Sequence, residues 1–138
     1  MHRPVNPGGE DGSVAVEFAL TATLLLTLIF AIMSFGIQFG ARIIAAQAAS
    51  EGARAAAGGL SATERQTLAR AAATSTLNSY GGIASLRTIA VVPVGSPVTR
   101  LDVTVALDIS AFGLSKLSGF VPSMPAPSAR VSVQVGGY

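Results

Sequence analysis

Between residues 18 and 41 the chain carries no charged side chain, and a single carboxylate, Glu17, stands at the start of this apolar run. About 20 apolar residues cross the hydrocarbon core of a bilayer as a helix, so the run is long enough to span it with some tilt. A carboxylate at such a boundary is costly unless something pairs with it. Glu17 belongs to the junction Gly12-Ser13-Val14-Ala15-Val16-Glu17-Phe18, where a short polar leader meets the run. What Glu17 meets is the first functional question the chain poses.

Composition narrows the answers. Of 138 residues, 50% are hydrophobic and only 12% charged, lean for a soluble protein. Nine basic against seven acidic side chains, with no basic run, give little support to nucleic acid as a partner. The absence of cysteine excludes disulfides, thiolate catalysis and cysteine-based metal sites. His2, in the leader, is the sole histidine.

Residues 1–12 hold two prolines and three glycines with mixed charge and read as a turn-like or disordered leader. A helix is expected to begin near Ser13, a good N-cap, with Glu17 in the first turns where the helix dipole favours negative charge. Helical composition continues past the apolar run to residue 57, and Gly58-Gly59 is the expected stop. A helix over 13–57 is about 65 Å long, roughly twice the bilayer core, so its second half must stand outside the membrane. That half is rich in small residues. Gly36, Gly40, Ala45, Ala49 and Gly52 read either as plain helix propensity or as close helix packing, with Gly36-Ile37-Gln38-Phe39-Gly40 a small-xxx-small pair.

Ser61-Ala62-Thr63-Glu64 reads as a capping box opening a second helix. Leu68, Ala69, Ala72, Ala73, Leu77 and Tyr80 could share its apolar face, with Arg65, Gln66 and Arg70 solvated and Gly81-Gly82 closing it. Three strands follow, at 86–94, 98–110 and 129–135. In the middle one Leu101, Val103, Val105, Leu107 and Ile109 alternate with Asp102, Thr104, Ala106 and Asp108. Gly95-Ser96-Pro97 makes a hairpin of the first two. The expected fold class is α+β: a long N-terminal transmembrane helix, a second helix and a small three-stranded antiparallel sheet, wet on one face. The expected divisions are a leader at 1–12, a transmembrane and extended helix at 13–57, and an outer α+β domain at 58–138. An apolar loop at 111–128, around Lys116, is expected to fold over the sheet or to serve as a docking surface.

No enzyme constellation emerges. Lys116 follows no glycine-rich phosphate loop, no serine sits in a nucleophile elbow, and no histidine outside the leader could act as a base. Asp102 and Asp108 share a strand face but lie about 20 Å apart, too far for a paired-carboxylate site, and read as solvating charges. Neither a cofactor nor a small-molecule substrate is expected. Glu17 has two readings. It is a favourable charge at a helix N-terminus, or it awaits a cation, which removal of the leader after Gly12 would create as a new amine on Ser13.

The junction resembles a type IV prepilin processing site, with glycine before the cut and glutamate fifth in the mature chain. More narrowly, G-S-V-A-V-E-F-A-L at 12–20 and A-A-S-E-G-A-R-A-A-A at 48–57 resemble the TadE-type pseudopilins of the tight-adherence (Flp) pilus system. The resemblance covers residues 12–57 and is diffuse beyond. It implies a cytoplasmic leader, cleavage between Gly12 and Ser13 by a prepilin peptidase that reads Glu17 and Phe18, and an outer domain beyond the cytoplasmic membrane. Partners would be the membrane, the peptidase and other pilins or pilus assembly proteins. Orientation rests on this resemblance, since Arg3, Glu10 and Asp11 before the run and Arg42 and Arg54 after it give no positive-inside support. Two alternatives remain: an unprocessed single-span protein whose outer module binds another envelope component, and a secreted module released after Ala46-Gln47-Ala48.

Overall fold

The computed structural model describes residues 8–81, 87–110 and 125–135. A single helix, α1, runs from Gly8 to Ala57, and a second, α2, from Ala62 to Ser79. Three strands, β1 (Arg87–Val94), β2 (Arg100–Leu107) and β3 (Ser128–Gln134), form an antiparallel sheet in the order β1-β2-β3. The α+β architecture expected from the sequence is the one observed.

α1 begins five residues before the expected Ser13, directly after Pro7. Extending a helix adds a backbone hydrogen bond per residue without a new nucleus, so the glycines at 8, 9 and 12 are absorbed into it. Among the described residues α1 is the one helix long and apolar enough to cross a membrane, and nearly all of its most apolar stretch is uncovered by the rest of the chain.

Its second half has another task. Ser34, Gln38, Ala41, Ala45, Ala48, Ala49, Gly52 and Ala56 recur at three- and four-residue steps, the spacing of one helix face, and all are buried. Against them lie Ala69, Ala73 and Leu77 of α2 and the alternating Leu101, Val103, Val105 and Leu107 of β2. The small side chains let the backbones approach. A Cβ at Gly52 would stand 2.9 Å from the Ala69 carbonyl oxygen and 3.2 Å from a Val103 methyl. Cleavage after Ala48 would therefore cut an unbroken helix in the middle of this core, which argues against the secreted module.

The punctuation follows local chemistry. Gly58 and Gly59 end α1 as expected, with amides donating to the Ala55 and Ala56 carbonyls at 3.2 Å each. Gly59 is needed for space, because a Cβ there would meet the Arg65 backbone nitrogen at 2.9 Å. The Ser61 hydroxyl accepts from the Glu64 amide at 3.2 Å, while the Glu64 carboxylate reaches back to the Leu60 amide at 2.9 Å. Each such contact satisfies an amide that the helix start leaves orphaned. Arg65, expected to be solvated, is half-buried. It donates to the Gly59 carbonyl at 2.7 Å and to the Val135 carbonyl, tying the interhelical turn to the end of β3. On α2, Ala69, Ala73 and Leu77 are buried as expected, whereas Leu68 and Tyr80 are exposed and the Tyr80 hydroxyl donates to Gln47. Gly81 follows with φ +64°, a left-handed conformation suited to glycine.

The hairpin turns at Gly95 (φ +99°) as expected, and the Thr99 amide donates to the Val94 carbonyl at 3.1 Å. β2 stops at Leu107 rather than Ser110. Asp108 leaves the ladder to accept the Ser110 amide at 2.8 Å, a local turn that competes with pairing. Residues 111–124, most of the apolar loop, lie outside the described residues, as do 1–7, 82–86 and 136–138.

Gly52→Val should destabilise the α+β module by about 1 to 3 kcal/mol through overpacking. Gly40→Ala, where an added Cβ meets nothing within 4 Å, should leave it unchanged or raise it by up to about 1 kcal/mol. Thermal unfolding of the full chain in detergent, followed by circular dichroism, checks both.

Candidate functional site: the uncovered face of the long helix

The buried stripe on α1 leaves its opposite side open. Ile32, Gly36, Phe39, Ile43, Ala46 and Ser50 repeat the same three- and four-residue spacing, offset by two positions from the buried set. Two residues are about 200° of helical rotation, so these side chains face away from the module. All six are exposed. Towards the N-terminus the same side carries Leu25, Phe18 and Val14, also exposed. One apolar face thus runs the length of α1, from the membrane-length stretch to the level of the sheet.

The residues singled out from the sequence divide between the two sides. Gly12, Ser13, Glu17 and Phe18 are exposed near the start of α1, inside continuous helix. Phe18 is 74% exposed, a large apolar surface with no partner within the described residues. Gly36 and Gly40 have open space where a Cβ would stand, so a neighbouring helix could approach there without meeting this chain's own atoms. Ala45, Ala49 and Gly52 are instead buried in the module's own core. The small residues therefore serve different neighbours: those from 41 onward on the covered side hold the module, and Gly36 and Gly40 are free.

Three polar side chains within the apolar stretch are hydrogen-bonded to backbone carbonyls. Thr23 and Thr27 donate to the Ala19 and Thr23 carbonyls at 2.7 and 2.8 Å, hiding their hydroxyls against the helix backbone. Gln38 is 5% exposed and its amide donates to the carbonyl of Pro125. This contact pins the segment leading into β3 to the helix. Gln38 and Ser34 sit within an apolar run and gave no sequence signal of burial.

The outer face of the sheet requires a correction. Asp102 was expected to be solvated, yet it is 1% exposed. Register sets it opposite Ser132, with Arg130 one pair along on the same face. The Ser132 hydroxyl donates to Asp102 Oδ1 at 2.6 Å, Arg130 donates to Oδ2, and Arg100 Nε lies 3.2 Å from Oδ1. The hydroxyl of Ser132 and the Arg130 guanidinium hold the Asp102 carboxyl below its ordinary pKa of 3.8, against the opposing effect of burial and with help from the Arg100 charge. Asp108 is likewise lowered by its bonds from Ser110. Arg130 and Ser132 alternate onto one face of β3, and the strand register brings them to Asp102. The two aspartates do not converge on a common site. Among the described residues no group of three or more His, Cys, Asp or Glu side chains could hold a metal ion.

Residues 12–54 match the family model described as TadE-like protein. The match opens at Gly12 and closes at Arg54, covering both the membrane-length stretch and the half of α1 that holds the module. No curated protein and no solved structure matches the chain.

Because the folded pKa of Asp102 is lowered, its stabilising contribution is complete above the ordinary value of 3.8 and is lost as pH falls through the folded value. Asp102→Asn should destabilise the module at neutral pH, and the gap from the parent should close as pH drops below 3.8. Urea unfolding of both proteins across that range checks the sign.

Proposed function

We propose that this chain, TadE-like from Gly12 to Arg54, is a minor pseudopilin or assembly protein of a tight-adherence pilus. Its action is mechanical and recognitional: α1 anchors it in the cytoplasmic membrane in a single pass, and the α+β module stands outside the cytoplasm. The observation that carries this reading is the uncovered face of α1, continuous from Val14 to Ser50 and directly opposite the packed module. A subunit built this way can pack its helix against neighbouring pilin-type helices while keeping its folded module on the outside of the bundle. Gly36 gives the closest approach on that face, and half-buried Gly40 on its flank also has open space where a Cβ would stand.

In this reading a prepilin peptidase removes residues 1–12. The new Ser13 amine then lies one helical turn from Glu17, and a carboxylate in a low-dielectric bundle gains most by meeting such a cation on an adjacent helix. Removing the leader also removes Glu10 and Asp11, the two carboxylates nearest the cut. No step of chemistry is assigned to the chain itself; it is the substrate of the peptidase.

One observation favours a second reading. α1 runs unbroken through Gly12 and Ser13, so a peptidase that binds an extended segment would first have to unwind about a turn of helix. An unprocessed single-span protein, with an outer module that binds another envelope component, keeps that helix intact.

Mass spectrometry of the protein from its native host separates the readings. A Ser13 N-terminus is the expected result, and an intact leader would overturn processing. Glu17→Ala should leave membrane insertion unchanged while weakening association with other pilins about tenfold, the worth of one hydrogen bond to a charged group. Quantitative co-purification after crosslinking measures this, and undiminished recovery would remove Glu17 from the assembly contact.

A further inference from the structure

The outer module marks where the hydrocarbon must end. Gln38 is tied to the carbonyl of Pro125, and Pro125 is exposed, non-helical backbone. Irregular backbone does not face lipid within the hydrocarbon region, because its polar groups would go unsatisfied there. The level of Gln38 is therefore at or beyond the edge of the core. Counting down α1 at 1.5 Å per residue, a core of about 30 Å takes 20 residues and reaches Phe18. Residues 18–37 are uncharged, and Glu17 and Gln38 bracket them. The two independent limits, the carboxylate below and the module above, are one bilayer core apart.

Immediately above this upper edge stands Arg42. It is exposed, and it makes no ion pair or hydrogen bond among the described residues. Four residues past Gln38 place it about 6 Å above the edge, within the headgroup layer, which adds about 5 to 8 Å on each side of the core. Phe39 and Ile43, exposed on the same stretch, extend the apolar surface into that layer.

We propose that the module sits directly on the lipid surface, with the hydrocarbon edge at Gln38 and the Arg42 guanidinium bound to phospholipid phosphate. A guanidinium offers paired N–H donors to a phosphate oxygen pair and carries its charge at any physiological pH. The contact sets the height of the module, and hence the depth at which the uncovered face of α1 is presented to a neighbour. This rests on α1 spanning a bilayer and is independent of leader cleavage.

The absence of cysteine permits a direct test. Single cysteines at Ile29, Met33, Phe39, Ile43 and Ala46, each carrying a nitroxide, are introduced into the full chain reconstituted in phosphatidylglycerol and phosphatidylcholine vesicles. Relative collision rates with oxygen and a water-soluble nickel complex report depth. In parallel, dephasing of arginine guanidinium carbon by lipid phosphorus is measured in the parent and in Arg42→Gln. The expected profile has Ile29 and Met33 in hydrocarbon, Phe39 at the edge and Ala46 in water, with phosphorus dephasing lost in Arg42→Gln. An edge displaced by two turns or more in either direction overturns the seating. Equal dephasing in Arg42→Gln overturns the phosphate contact. Release of the chain from vesicles by alkaline carbonate would overturn the spanning reading itself, and the seating with it.

Discussion

The close approach of α1 to α2 at Gly52 is the contact on which the rest of the structure depends. With a Cβ absent at that position, the helix backbone comes within reach of the Ala69 carbonyl, and the alanines at 45, 48, 49, 53 and 56 keep the same separation along the interface. Larger side chains there would push α1 away from both α2 and β2. The sheet would then lose the apolar surface that covers Val103 and Val105. Burial of a large aliphatic side chain is worth about 1.5 to 3 kcal/mol, so a module this small relies on every facing position being filled without strain.

The same packing makes anchor and module one body. α1 is not a membrane tether joined to a domain by a linker; its second half is a principal wall of the domain's core. A displacement or rotation of the membrane segment is carried into the sheet through helix backbone rather than absorbed in a loop. Arg65 reinforces the coupling, since it binds both the turn after α1 and the carbonyl of Val135, the residue that follows β3. The outer face of the sheet is held separately. Asp102 gathers Arg100 of its own strand and both Arg130 and Ser132 of the neighbouring one, so β2 and β3 are stitched by a buried carboxylate with every side-chain oxygen satisfied. Losing one partner from such a group costs more than the group's presence contributes.

Elements governed by periodicity were legible in the sequence. The long uncharged run and helical composition of α1, the capping box at Ser61 and Glu64, and the alternation in β2 each announce their own structure, because local geometry and burial agree there. What failed depends on contacts distant in the chain. Asp102 looks solvated because alternation assigns it the outer face, and alternation says nothing of Arg130 and Ser132 reaching it from the neighbouring strand. Gly59 was legible as a helix stop, but the room it leaves for Arg65 was not. The burial of Gln38 has no local signal, since its partner is a carbonyl 87 residues away. At the candidate site, the motif from Gly12 to Phe18 was readable, but which small residues face the module and which face outward was not. Ala49 and Gly36 look alike in sequence; only the rotation of the helix relative to α2 separates them.

That rotation constrains assembly. The module covers one side of α1 from Ser34 onward, so no neighbouring helix can approach from that direction above the membrane. The open side at Ile32, Gly36, Phe39 and Ile43 is almost diametrically opposite, and among the described residues none from Gly12 to Met33 is buried. A neighbour that packs along the whole of α1 must therefore choose the side bearing Gly36, and a neighbour on any other side must end its contact within the membrane. In a bundle built by the first kind of contact, helices lie at the centre and each module is turned outward. The covered alanines, by fixing the module to one side, thus determine the orientation of a contact in which they take no part.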